Sequence, residues 1–111
     1  METSTTNLKH CDLLKVSGRI DSTTSPQMDE ALKAILNAKR YNLVVDMKEV
    51  TYMSSAGMRV LINAQKVCRR YNRGEVILVG VSPLIYEAME LAGFTVLFKF
   101  FDDPLLAVGY F

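Results

Sequence analysis

The residues of this chain whose types and spacing could do chemistry are concentrated in residues 50–61, VTYMSSAGMRVL. Two adjacent serines and a glycine stand between an apolar run and an amphipathic helical pattern, which puts a small hydroxyl at the start of a helix. The first N–H groups of a helix lack intrahelical partners, and the peptide dipole favours negative charge there. A phosphate added to such a hydroxyl would find donors waiting. With Ser54 as N-cap, its side-chain oxygen accepts a backbone N–H, worth about 1 kcal/mol against alanine, and Ser55 is left to point outward. Gly57 has no side chain and leaves room near the helix start for another backbone or a bulky anion. The same residues also suit an ordinary capped helix with a packing glycine. Their spacing matches neither a P-loop nor a nucleophile elbow.

Projection of residues 55–71 at about 100° per residue puts Val60, Leu61, Ala64, Val67, Cys68 and Tyr71 on a core face. Ser55, Arg59, Ile62, Lys66 and Arg69 fall opposite, with Met58 at the edge. An isoleucine among cations, two helical turns beyond Ser55, reads as the anchor of a protein-binding surface. The alternative is that Ile62 packs under a loop or a neighbouring helix.

The elements that must position this turn follow from periodicity. DLLKVSGRI (residues 12–20) alternates Leu14, Val16, Gly18 and Ile20 with Lys15, Ser17 and Arg19, the pattern of a half-buried strand. DSTTSP then offers helix-start chemistry, with Ser25 before Pro26, or Thr24 with Gln27, as the cap. Met28, Ala31, Leu32, Ile35 and Ala38 continue at helical spacing to about Lys39. Residues 43–47, LVVDM, suit a short strand covered on both faces and bounded by Lys48 and Glu49. Residues 75–81 read as another buried strand. Ser82-Pro83 opens a helix with Leu84, Ala88 and Leu91 inward that ends at Gly93. Residues 95–101 supply a last strand through Val96, Phe98 and Phe100, and Asp103-Pro104 starts a short helix ending with the chain at Phe111. Strand and helix in alternation predict a mixed, largely parallel sheet with helices packed against it.

Composition narrows the function classes. A chain of 111 residues, half of them hydrophobic, predicts one domain over residues 1–111. Basic residues number 13 and acidic residues 12, so the total charge points to neither a nucleic-acid nor a membrane-surface binder. Cys11 and Cys68 are too few for a disulfide framework or zinc cluster and read as buried thiols. The first ten residues lack a signal-peptide apolar core, and no run approaches the ~18 apolar residues of a membrane span. A cytoplasmic setting is the expectation. His10 is the one histidine and lies near an N-terminus expected to be loose, so a hydrolase built from Ser55, His10 and Asp46 or Asp21 lacks a good general base. The reading is not an enzyme, with no metal and no cofactor.

The segment LVVDMKEVTYMSSAGMRVLINAQKVCRR resembles the signature of STAS domains, in particular the small single-domain anti-anti-sigma factors of bacteria. GRID before the first helix, the helix opening at TSP, VSPLIYEAMELAGF and the FD before the last helix follow in the family's order, so the resemblance covers nearly the whole chain. It implies a STAS fold, a four- to five-stranded mixed sheet with about four helices. It also implies a function: the unmodified domain antagonises an anti-sigma factor and frees a sigma factor, and phosphorylation of one serine in the turn stops this. Aligned on Gly57, the acceptor is Ser55, with Ser54 where the family usually has aspartate and Ala56 where a second hydroxyl often follows; Ser54 is therefore a second candidate. Together with the exposed face of the helical projection, the serine turn predicts a contact set of Asp21, Ser54, Ser55, Gly57, Met58, Arg59, Ile62 and Lys66. The partners implied by the resemblance are an ATP-dependent anti-sigma factor serine kinase of the GHKL type and a PP2C-type phosphatase. The family's other use is as a structural subunit of transporters or other regulatory complexes without phosphorylation, and the loss of the acidic neighbour at Ser54 keeps that alternative open.

Overall fold

The period-two run DLLKVSGRI forms a strand with Leu14, Val16 and Ile20 buried and Lys15 and Arg19 exposed, as expected. It is the second of five. The computed structural model describes residues 1–70 and 74–111. Along them run β1 (Glu2–Asn7), β2 (Asp12–Ile20), α1 (Ser25–Asn37), β3 (Asn42–Met53), α2 (Ser55–Arg70), β4 (Glu75–Val79), α3 (Pro83–Leu91), a 3₁₀ turn (Thr95–Leu97), β5 (Lys99–Phe101) and α4 (Pro104–Tyr110).

The sheet is ordered β1-β2-β3-β4-β5, with β1 antiparallel to β2 and the other pairs parallel. Each parallel step needs a helical crossover, and right-handed crossovers stepping in one direction place their helices on one face. Met28, Leu32 and Ile35 of α1, Leu61, Ala64 and Cys68 of α2, and Ile85 and Met89 of α3 accordingly share one core with Leu14, Val45 and Leu78. The opposite face carries a smaller core, in which α4 sets Ala107 against Val44, Ile77 and Val79. Burial raises the Cys11 thiol pKa and pushes that of Cys68 up to about 12. Among the described residues no helix is long and apolar enough to cross a membrane.

Several expectations need correction. The N-terminal segment is not loose: Glu2–Asn7 pairs with β2 from Glu2↔Ser17 to Asn7↔Asp12. Its threonines suit a strand, but its side chains are polar throughout, so no apolar alternation marked it. β3 does not stop at Met47; exposed Lys48 and Glu49 lie within a strand of 12 residues. α1 ends before Lys39, which adopts a φ of +62°. In α3, Leu84, Ala88 and Leu91 are exposed, whereas Ile85 and Met89 are buried. Both stripes of this nine-residue helix are apolar, so periodicity alone does not choose between them. Residues 80–81 lie beyond the end of β4, and Thr95–Leu97 form a 3₁₀ turn rather than strand, which leaves Val96 exposed. Tyr71, expected on the core face of α2, lies outside the described residues.

Two polar ties, each built on a buried side chain, hold the sheet at the end away from the serine turn. Arg40 pairs with Asp12 at 2.7 Å and also donates to the carbonyls of Leu8 and Cys11. Gln65 accepts the Val76 N–H at 2.6 Å and donates to the carbonyls of Val76 and Leu97. It binds β4 one residue before β5 begins to pair at Ile77.

Candidate functional site

β4 accompanies β3 only as far as Asp46↔Val79, while β2 accompanies it to Ile20↔Met53. Residues 47–53 therefore carry the serine turn past the end of β4 and set it beside the loop that leaves β2. The two loops are tied by the Ser54 N–H, which donates to the Ile20 carbonyl at 2.8 Å.

Ser54 caps α2. Its hydroxyl accepts the Gly57 N–H at 3.3 Å, and its carbonyl accepts the Met58 N–H at 3.1 Å. Ser55 is the first residue of the helix, is exposed, and among the described residues its hydroxyl has no hydrogen-bond partner. The two hydroxyls differ: one is engaged by the fold and the other is free.

Gly57 is buried, and the room it leaves is already filled. A Cβ there would lie 2.6 Å from Ile20 Cγ2 and 2.9 Å from Met53 Cγ, so the missing side chain lets α2 sit down on the ends of β2 and β3. Of the uses the missing side chain allowed, close packing within the chain is the one realised: Gly57 is the packing glycine of a capped helix, and no room is left for an anion on that side. Met58, placed at the edge of an exposed face by projection, is only 6% exposed and belongs to the main core. Ile62 is half-buried against the same core rather than standing in solvent. Arg59 and Lys66 are exposed as projected. The open face of α2 is thus narrower and more cationic than the sequence suggested.

Asp21 opens the neighbouring loop. Its Oδ1 accepts the Thr23 hydroxyl at 2.6 Å, the Thr23 N–H at 2.9 Å and the Thr24 N–H at 3.1 Å. Hydrogen bonds from the Thr23 hydroxyl and backbone, then from Thr24, outweigh desolvation and lower the carboxyl pKa from 3.8 to about 2. Thr24 precedes α1 but does not cap it; its hydroxyl donates to the Arg19 carbonyl at 2.7 Å. Arg19 and Tyr52 are register partners on β2 and β3, and the guanidinium lies 4.4 Å from the ring centroid. This stack lines the same end of the sheet and was missed from sequence. The available signal was an exposed aromatic two residues before the serine pair.

His10 lies before β2, at the far end of the sheet. Nine residues of β2 separate it from the serine turn, roughly 25 Å of strand. Asp46 is buried, with its carboxylate accepting the Lys48 N–H at 3.1 Å. The geometry assembles no Ser55–His10–Asp46 relay.

The STAS domain family matches residues 4–104 of this chain, a span that contains the serine turn, the aspartate loop and all of β2 to β5. The chain belongs to that family. Among STAS proteins it is similar to an anti-sigma-B factor antagonist of Listeria monocytogenes, with 34% identity over 84 residues that cover 76% of this chain and 72% of the relative. The crystal structure of an anti-sigma factor antagonist from Mycobacterium paratuberculosis shares the fold with a TM-score of 0.87 at 21% identity, covering 98% of this chain and 92% of that one. The Bacillus cell fate determinant SpoIIAA in its phosphorylated form shares it with a TM-score of 0.76 at 14% identity and 98% coverage of both chains. The STAS fold is therefore compatible with a phosphate in at least one of its members.

Proposed function

We propose that this STAS protein is an anti-sigma factor antagonist whose unmodified form binds an anti-sigma factor serine kinase, so releasing a sigma factor, and that phosphorylation of Ser55 ends the interaction. The observation that carries the reading is the difference between the serines: Ser54 is held by its cap bond to Gly57, while Ser55 is exposed and free at the first turn of α2. The names of the curated relatives supply the antagonist role. The loss of an acidic residue at position 54 does not remove the cap, because serine performs it.

In the switch, the Ser55 oxygen attacks the γ-phosphorus of the kinase's Mg²⁺-bound ATP, ADP leaves, and the hydroxyl proton passes to a base on the kinase. The product carries roughly −1.5 to −2 charge. A helix N-terminus tolerates that charge, since its free N–H groups and dipole both favour it. The domain stays folded. Binding fails because bulk and charge enter a packed contact, and each ~1.4 kcal/mol of repulsion lowers affinity tenfold. The contact surface comprises Asp21, Ser55, Arg59 and Lys66, with the Arg19–Tyr52 stack beside them. Gly57, Met58 and Ile62 shape it from below, and Ser54 orders its edge. A PP2C-type phosphatase resets the switch, and the protein works in the bacterial cytoplasm.

Incubation with the kinase and Mg²⁺-ATP, followed by intact-mass and fragment analysis, tests the proposal. One phosphoryl group on Ser55, lost in Ser55→Ala and retained in Ser54→Ala, is the expected result. Modification at Ser54 would reverse the acceptor assignment. No modification by any GHKL-type kinase would favour the structural-subunit use of the fold.

A further inference from the structure

Among the described residues eight large hydrophobic side chains are exposed, and seven of them fall within residues 84–110. They flank β5, which is the edge of the sheet. On the α3 side are Leu84, Tyr86 and Leu91, with Val96 from the 3₁₀ turn; on the α4 side are Leu105, Leu106 and Tyr110, all between 38% and 83% exposed. Ring contacts join both groups to the strand, Tyr86 to Phe100 at 5.0 Å and Phe101 to Tyr110 at 6.1 Å. The opposite edge differs: β1 is longer, but Glu2, Ser4, Thr5, Thr6 and Asn7 along it are polar and exposed.

We propose that the β5 edge is a self-association surface, at which two copies of the chain pair β5 to β5 about a two-fold axis and bury the flanking residues of α3, the 3₁₀ turn and α4. Area argues for it. At roughly 100 Å² of apolar surface apiece the four side chains on the α3 side and the three on the α4 side offer each copy on the order of 700 Å² in all, divided between the two faces of the sheet. Two copies make roughly 1,400 Å², within the range of specific interfaces. Strand chemistry argues for it as well. An edge strand has outward N–H and C=O groups that need another edge, and each further copy brings one. An isologous pairing satisfies both edges at once and closes.

The surrounding charge decides how the pairing should respond to salt. Residues 83–111 hold four acidic side chains, Glu87, Glu90, Asp102 and Asp103, against Lys99 alone. Like-charged rims oppose association of two copies and would also oppose an anionic membrane. Screening relieves that repulsion, so the dimer tightens as salt rises. The switch stays open in the dimer. Phe101 pairs with Val79, which pairs with Asp46, and the serine turn lies beyond Met53, roughly 20 Å further along β3. A dimer therefore carries two Ser55 switches.

Sedimentation equilibrium of the full chain, from micromolar to near-millimolar concentration, tests this independently of any phosphorylation. The mass should move from that of one 12.5 kDa chain toward twice that value, with a dissociation constant several-fold lower in about 0.5 M than in about 0.05 M salt. Leu91→Glu combined with Leu105→Glu should weaken the dimer at least tenfold with an unchanged circular dichroism spectrum, since both residues are exposed. Tyr52→Ala, on β3 beyond the stretch that β4 accompanies, should leave the dimer unaltered. A single-chain mass under every condition would overturn the proposal and leave the surface to a different protein. A dimer indifferent to the paired substitution, or one weakened by salt, would overturn it equally.

Discussion

Two aspartate–arginine pairs stand at opposite ends of β2, and the fold treats them in opposite ways. Asp12 is almost fully buried, and Arg40 binds it at 2.7 Å while donating to two carbonyls. Asp21 is partly exposed, Arg19 stands 3.9 Å from it, and the aspartate is satisfied by the threonines of its own loop while the arginine lies on Tyr52. A pair whose carboxylate is buried and whose half-exposed guanidinium is spent on that carboxylate and two carbonyls fixes strand ends. An exposed pair whose anion is held by local bonds shapes a loop and leaves a cation and an aromatic ring in reach of a partner.

The contrast can be broken by substitution. Arg40→Ala leaves Asp12 buried without its cation and should cost about 3 kcal/mol in chemical denaturation, the largest effect expected at either end. Gly57→Ala forces a methyl group against Ile20 and Met53; a loss of about 2 kcal/mol is expected, with the same assay as the check. Ser54→Ala removes one cap and should cost about 1 kcal/mol, whereas Ser54→Asp, an equally good cap, should melt close to the parent. Asp21→Asn should have the smallest effect on folding, because its amide oxygen can still accept the threonine donors. Its influence on pH dependence is specific. Since the folded-state carboxyl pKa is lowered to about 2 from 3.8, its stabilisation is complete above the unfolded value and is lost as pH falls from there through about 2. Carbon-detected NMR titration of the Asp21 carboxyl should find that midpoint, and Asp21→Asn should remove this contribution to acid unfolding.

How far each end was legible in the sequence follows the same division. Local chemistry was readable where one residue type decides the outcome: alternation in β2, the Ser54 cap, the Ser82 cap of α3 and the Asp103 cap of α4 all occur. Features that depend on what lies across the sheet were not. β1 has no apolar pattern of its own and is defined by pairing with β2. Gln65 and Asp12 are polar residues in buried positions, which hydropathy periodicity assigns to solvent. The burial of Met58 and Gly57 depends on α2 descending onto Ile20 and Met53, a tertiary contact invisible to a helical projection. The serine turn could be found from sequence, but the Arg19–Tyr52 stack required the parallel register of β2 and β3.

The central claim is that Ser55 switches binding without switching folding. Calorimetric titration of the anti-sigma factor kinase with unmodified and Ser55-phosphorylated protein, alongside the melting temperature of each form, tests it most directly. Phosphorylation should weaken binding by about 100-fold or more, close to 2.7 kcal/mol, while the melting temperature moves by no more than a few degrees. Equal affinity of the two forms, or a loss of affinity accompanied by unfolding of the domain, would contradict the account.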